Sequence, residues 1–182
     1  TAEDKISIFS DASVDYTNNL YTLTDGANTA DATFNGSFEG EAKMAAVYPY
    51  DAANSFNGTA ITVNMPSSYV YVEGEINKAP MASLITAQTE PIAFKNAAAL
   101  LAVTVNNIPA GYNKAVLTSS TENITGQSTI TFGEGVPTLA GADGAKTIEI
   151  TFPAAGTPTN KTFYFPLPVA NYTSLEVSIT DG

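Results

Sequence analysis

Short runs along the whole chain alternate apolar and polar residues with a period of two. That period belongs to strands, whose successive side chains point to opposite faces. It is strictest in Lys146–Phe152, where Ile148, Ile150 and Phe152 oppose Thr147, Glu149 and Thr151. Asp4–Ser10 sets Ile6 and Ile8 against Lys5, Ser7 and Phe9 and predicts a first strand. A polar loop, Asp11–Asn19, leads to a short strand at Leu20–Thr24, closed by the turn signal Asp25-Gly26. Ala30–Phe38 carries Ala32, Phe34 and Phe38 on one parity, with Asn35-Gly36 marking a turn or bulge. Ala42–Tyr50 is a strand whose Pro49 suits its end, since proline cannot donate to a central ladder.

Ser55–Gly58 reads as a turn, and Ile61, Val63 and Met65 alternate until Pro66 stops the strand. Tyr69–Val72 is a short strand, and Ala79–Ile85 reads as an extended segment or one helical turn. Ile92–Asn107 is the longest apolar run. Ala97, Ala99, Leu101, Val103 and Val105 share one parity, and Ala98, Leu100 and Ala102 fill the other until Thr104 and Asn106. It predicts a core strand, apolar first on both faces and then on one. Its Ala-Leu cluster has helical propensity, but the β-branched tail and the two-residue period argue for a strand. After a turn at Pro109-Ala110-Gly111, strands are expected at Lys114–Thr118, Ser128–Phe132, Lys146–Phe152 and Lys161–Phe165. Leu175, Val177 and Ile179 mark the last strand.

The pattern amounts to about ten to twelve short strands with no amphipathic helix. It predicts an all-β protein, a two-sheet antiparallel β-sandwich. Connections longer than two-residue hairpins favour Greek-key-like crossing over an up-and-down barrel. At 182 residues the expectation is a single domain spanning 1–182. Such a chain buries roughly 70% of its unfolded surface, enough to fold without a metal or disulfide. The closing Asp181-Gly182 is a hairpin signal with no strand after it, so more chain is expected to follow.

Composition narrows the function by exclusion. The chain has no Cys, no His and no Arg. Cysteine and histidine nucleophiles, Ser-His-Asp triads and the common zinc sites are therefore excluded; no cofactor is expected, and the chain reads as a non-enzyme. Seven Lys against 18 acids give a net charge of −11, which makes nucleic acid and anionic lipid poor partners. No stretch of about 20 continuous apolar residues offers a membrane span. The opening TAEDK lacks an initiator Met and a signal peptide; a leader, like any attachment signal, is expected to lie outside this sequence.

Four patterns invite a chemical reading. Asp11, Ser13, Asp15 and Asn18 resemble an oxygen-ligand loop, but Tyr16 takes the place of the glycine a calcium loop needs and no bidentate Glu follows, so a solvated loop is preferred. Glu39/Glu41 and Glu73/Glu75 are carboxylate pairs of the type glycosidases use. They sit at glycine turns, where nothing raises the pKa of a catalytic acid. Tyr48, Tyr50, Tyr69, Tyr71, Tyr112, Tyr164 and Tyr172 are candidates for a sugar-stacking platform, against the plainer reading that tyrosine favours sheets. Asn-x-Ser/Thr sequons begin at Asn35, Asn57, Asn123, Asn160 and Asn171 and matter only in a eukaryotic secretory host.

Several segments, in order, resemble the fimbrillin family of bacterial surface proteins: DKISIFS, ATFNGSF, AVYPY, IAFKNAAALLAVTV, KAVLTSS, ITGQSTITF and TFYFPLPVANYTSLEVSITDG. The most specific are Tyr48-Pro49-Tyr50 after an apolar strand, Phe94-Lys95-Asn96 opening the long run, and Phe163-Tyr164-Phe165-Pro166 before the last strand. The resemblance implies a transthyretin-like β-sandwich and an exported lipoprotein of fimbrial shafts, tips or anchors, or an adhesin. This chain would be its N-terminal domain. It further implies a location at the cell surface or fimbrium, on the outer membrane, through a lipid anchor outside this sequence. Other fimbrial subunits or surface ligands would be its partners. Some pilins of the family are activated by cleavage after Arg; with no Arg here, such a site would lie elsewhere. Assembly would proceed by β-strand addition, with Asp4–Ser10 the expected segment near the open edge. The alternative is a glycan-binding β-sandwich module, which needs exposed, coplanar aromatics on one face.

Overall fold

A computed structural model describes residues 4–11, 16–27 and 29–182. The described residues form sixteen strands and no helix. In chain order they are β1 (Lys5–Ser10), β2 (Thr17–Asp25), β3 (Thr33–Asn35), β4 (Lys43–Tyr48), β5 (Ser55–Phe56) and β6 (Ala60–Met65). Next come β7 (Ser68–Val70), β8 (Met81–Leu84), β9 (Lys95–Asn96), β10 (Ala99–Ile108) and β11 (Lys114–Ser119). The last are β12 (Gly126–Gly133), β13 (Val136–Ala142), β14 (Thr147–Thr151), β15 (Thr159–Leu167) and β16 (Leu175–Thr180). The all-β expectation holds, and the packing is consistent with a β-sandwich. The chain divides into two compact units, one of residues 1–64, 79–97 and 129–139, the other of 65–78, 98–128 and 140–182.

The first unit is built on a six-stranded sheet ordered β3-β2-β1-β4-β8-β9, antiparallel at every junction. Its middle strand is β1, where Ile8 pairs with Asn19 of β2 on one side and with Ala46 of β4 on the other. This corrects the expectation that the first strand lies at an open edge. Its sequence gives the reason, because both parities are fit for burial. Ile6 and Ile8 pack with Phe34, Phe38 and Phe94, while the Phe9 ring stands 5.8 Å from Phe56 of β5. Each such side chain, once buried, contributes about 1.5–3 kcal/mol. A further sheet, ordered β13-β12-β6-β5, has residues 55–56, 60–64, 129–133 and 136–139 in this unit.

Three buried polar side chains of this unit, Ser10, Asn19 and Asn54, are paired, as burial requires. The Asn19 amide donates to Ile8 O and Ser10 Oγ, each at 3.1 Å, and its Oδ1 accepts from Glu39 N at 2.8 Å. Ser10 Oγ donates to Glu39 O. The Asn54 amide donates to Ser7 Oγ and Pro49 O. These bonds tie two connecting loops to the middle of the sheet.

The second unit has two layers, a two-stranded sheet of β10 and β15 and a four-stranded sheet ordered β16-β11-β14-β7. All pairs in them are antiparallel except β14 with β7. One apolar cluster joins Phe163, Phe165 and Leu167 of β15 to Ala115, Leu117, Ile148 and Ile150 of the other sheet. Leu101, Val103 and Val105 of β10 pack against it as partly buried residues.

The long apolar run departs from expectation. It is two strands in two sheets, β9 and β10, rather than one core strand. Only the Leu101/Val103/Val105 parity faces the cluster; Leu100, on the other, is 42% exposed. Other differences are smaller. β2 begins at Thr17, inside the expected loop; the expected turn at Ser55–Gly58 holds β5; the expected strand at Ala30–Phe38 is only three residues; and β13 was not foreseen.

Candidate functional site

Two features of the second unit stand out, an open strand edge and a cleft. Strand order gives the edge. β10 pairs with β15 from Ala99↔Leu167 to Ile108↔Thr159, with an irregularity between Val105 and Ile108. Among the described residues no strand pairs with the other edge of β10. In an antiparallel ladder, alternate residues aim their N–H and C=O at the partner and away from it. On β15 the Asn77 amide donates to Tyr164 O at 2.8 Å. Pro166, on the same parity, has no N–H to give. Tyr164 and Pro166 thus face away from β10, so their partners Ala102 and Leu100, with Thr104 next in parity, face away from β15.

Natural edges are blunted by charge, proline, bulges or shortness. Several open edges here follow that rule. β3, β5, β7 and β9 have two or three residues, β13 contains Pro137 and Gly141, and β16 carries Glu176. β10 has ten residues, ALLAVTVNNI, with no charge, proline or glycine. Only its end is blunted, at the irregularity before Ile108, where Asn107 has a positive φ of 55° and Asn160 Oδ1 accepts from Asn107 N at 2.9 Å.

The cleft, of about 280 Å³, is lined by Tyr71, Glu73, Gly74, Thr104, Asn160, Lys161, Thr162 and Tyr164. β10 supplies Thr104 and β15 supplies residues 160–164, while residues 71–74 follow β7. The Thr104 and Thr162 hydroxyls share a hydrogen bond of 2.9 Å. The Lys161 ammonium stands 4.4 Å above the Tyr71 ring and 5.6 Å from the Phe152 centroid. Burial first, then Glu73 and Tyr164, push the Tyr71 hydroxyl above its ordinary pKa, so it stays a neutral donor.

The residues singled out in the sequence fall into separate places. Tyr48 and Phe94 pack on the same apolar cluster of the first unit. A cis Tyr48–Pro49 bond follows β4, and Tyr50 N donates to Lys5 O at 2.9 Å. Lys95 and Asn96 form β9 and are exposed; Lys95 Nζ donates to Gly135 O. Phe163 and Phe165 are fully buried in the second unit, with Pro166 buried after them. Tyr164 points the other way, into the cleft.

None of the nine tyrosines is exposed enough to form a flat platform; Tyr69 is buried and the others are partly buried. Both carboxylate pairs, Glu39/Glu41 and Glu73/Glu75, are solvent-exposed. Of the oxygen-ligand loop, residues 12–15 lie outside the described residues. Asp11 Oδ1 accepts from Ala42 N, and the Asn18 amide donates to Asp51 O and Asn54 O. Among the described residues no group of three Asp or Glu converges to hold a metal. The signal for the edge was present in the sequence as an uncharged run; the cleft had none, because its parts are far apart in the chain. No family model, curated protein or solved structure matches this chain.

Proposed function

We propose that the chain is a structural and adhesive subunit of bacterial surface fimbriae, of the fimbrillin kind, that assembles by β-strand addition and catalyses no reaction. In this reading its fold is a transthyretin-like, Greek-key-like sandwich, its partners are other fimbrial subunits or surface ligands, and a lipid anchor outside the sequence holds it at the outer membrane. The observation that carries the reading is the free edge of β10. Ten uncharged residues, of which alternate ones aim their peptide groups outward, are what strand addition needs: main-chain bonds supply affinity and alternate side chains supply register. A two-stranded layer is also narrow beside the usual sheet of about four to six strands. An added strand would widen it and cover Leu100.

The test uses the mature protein that carries this chain. It is treated briefly with a surface-loop protease, run unboiled on a denaturing gel and viewed by negative stain. A ladder with filaments is expected. Ala102→Pro removes an N–H that points away from β15, so the domain should fold while the ladder disappears. A single monomer band from the parent protein, or an unchanged ladder from a folded Ala102→Pro variant, overturns the proposal.

A further inference from the structure

The cleft beside β10 holds two charges without charged partners. Neither Lys161 nor Glu73 forms an ion pair among the described residues. The Lys161 ammonium is held from one side by ring faces, a contact that leaves its N–H donors unfilled. Glu73 is exposed and offers acceptors only. The same cleft is lined by the two bonded threonine hydroxyls, which retain one donor and several acceptors. The Tyr164 ring is partly buried and stacks on no other ring among the described residues. Tyr71, by contrast, is committed to Lys161 and Phe163, which leaves its hydroxyl for polar contacts.

We propose that this cleft binds a neutral pyranose, such as the terminal sugar of a surface glycan, with its C–H face on Tyr164. Its hydroxyls would donate to Glu73 and accept from Lys161, while Thr104, Thr162 and Asn160 complete the polar rim. One cation and one carboxylate lining the same cleft offset each other, and the chain as a whole carries −11. An anionic sugar gains nothing from such a site and is repelled by the protein at long range. The volume, about 280 Å³, lies just below the range for small-molecule pockets, roughly 300–1,000 Å³. That suits one or two sugar rings. A free hexose has few atoms with which to bind, so its Kd is about millimolar. This inference does not depend on the fimbrial reading, since binding requires no polymer.

The experiment titrates the isotope-labelled chain with methyl glycosides of neutral hexoses and N-acetylhexosamines, and reads amide shifts by NMR. A uronate and a zwitterionic amino acid serve as comparators. Saturable shifts at Glu73, Thr104, Asn160, Thr162 and Tyr164 are expected for a neutral glycoside, with none from the comparators. Thr104→Val and Tyr164→Ala should each weaken binding about tenfold, while Leu20→Ala, in the first unit, leaves it unchanged. No shifts up to about 100 mM, some hundredfold above the expected Kd, overturn the proposal. So do shifts outside the cleft, equal binding of the comparators, or full affinity in a folded Thr104→Val variant.

Discussion

Replacing Tyr69 with Phe should stabilise the protein. Tyr69 lies in β7 opposite Ile150, is 8% exposed, and its hydroxyl is buried with no hydrogen-bond partner among the described residues. An unsatisfied buried hydroxyl costs about 1–3 kcal/mol. Tyr69→Phe deletes that cost and leaves a hole smaller than a methyl group, whose loss would cost about 1 kcal/mol. The net expectation is a gain of roughly 1 kcal/mol, which raises Tm by about 2–4 °C in a chain of this length. Burial also pushes the Tyr69 pKa up from the ordinary 10.0. Below pH 10 the residue is protonated in both states and contributes nothing to pH dependence. Above it the unfolded chain ionises while the folded one holds its proton, so stability falls as pH rises, by up to about 1.4 kcal/mol per pH unit. Urea unfolding of both proteins from pH 7 to 11 measures both effects. Tyr69→Phe should start higher and lose part of the alkaline decline. A variant destabilised by more than about 1 kcal/mol would mean that the hydroxyl has a partner, and the reasoning would fail.

Two further outcomes are expected. Asn19→Ala strips the acceptor from Glu39 N and the donor from Ile8 O and Ser10 Oγ, and should cost about 2–4 kcal/mol in a denaturant titration; a loss below about 0.5 kcal/mol would mean the network is dispensable. Deleting Lys5–Ser10 removes the middle of a six-stranded sheet, so the cooperative unfolding transition should vanish for the first unit, and a calorimetric trace like that of the parent would refute this.

Much of the strand pattern was legible because one face of many strands is wet. β6, β11 and β14 alternate buried and less buried residues along their length, and the same alternation appears in their letters. β13 escaped because Pro137 and Gly141 read as turn residues; an edge strand tolerates both. The break between β9 and β10 falls at Ala97 and Ala98, and alanine signals neither turn nor strand. Nor does apolarity reveal exposure. Leu100 and Ala102 look like core, and only the pairing order leaves them outside. The cleft was illegible for a different reason. Thr104 meets Thr162 across 58 positions, and Asn77 reaches Tyr164 across 87. No local pattern encodes which distant strands become neighbours.

The two edges of the β10–β15 layer are unequal. On β15 the Asn77 side chain already occupies a main-chain acceptor and Pro166 withholds a donor; on β10 neither obstacle exists. In the proposed assembly a layer receptive on one side would accept one strand, so as an acceptor its valency would be one. Under the proposed strand addition, such units would join head to tail without branching through this layer, and the direction of growth would be set in each subunit before a partner arrives.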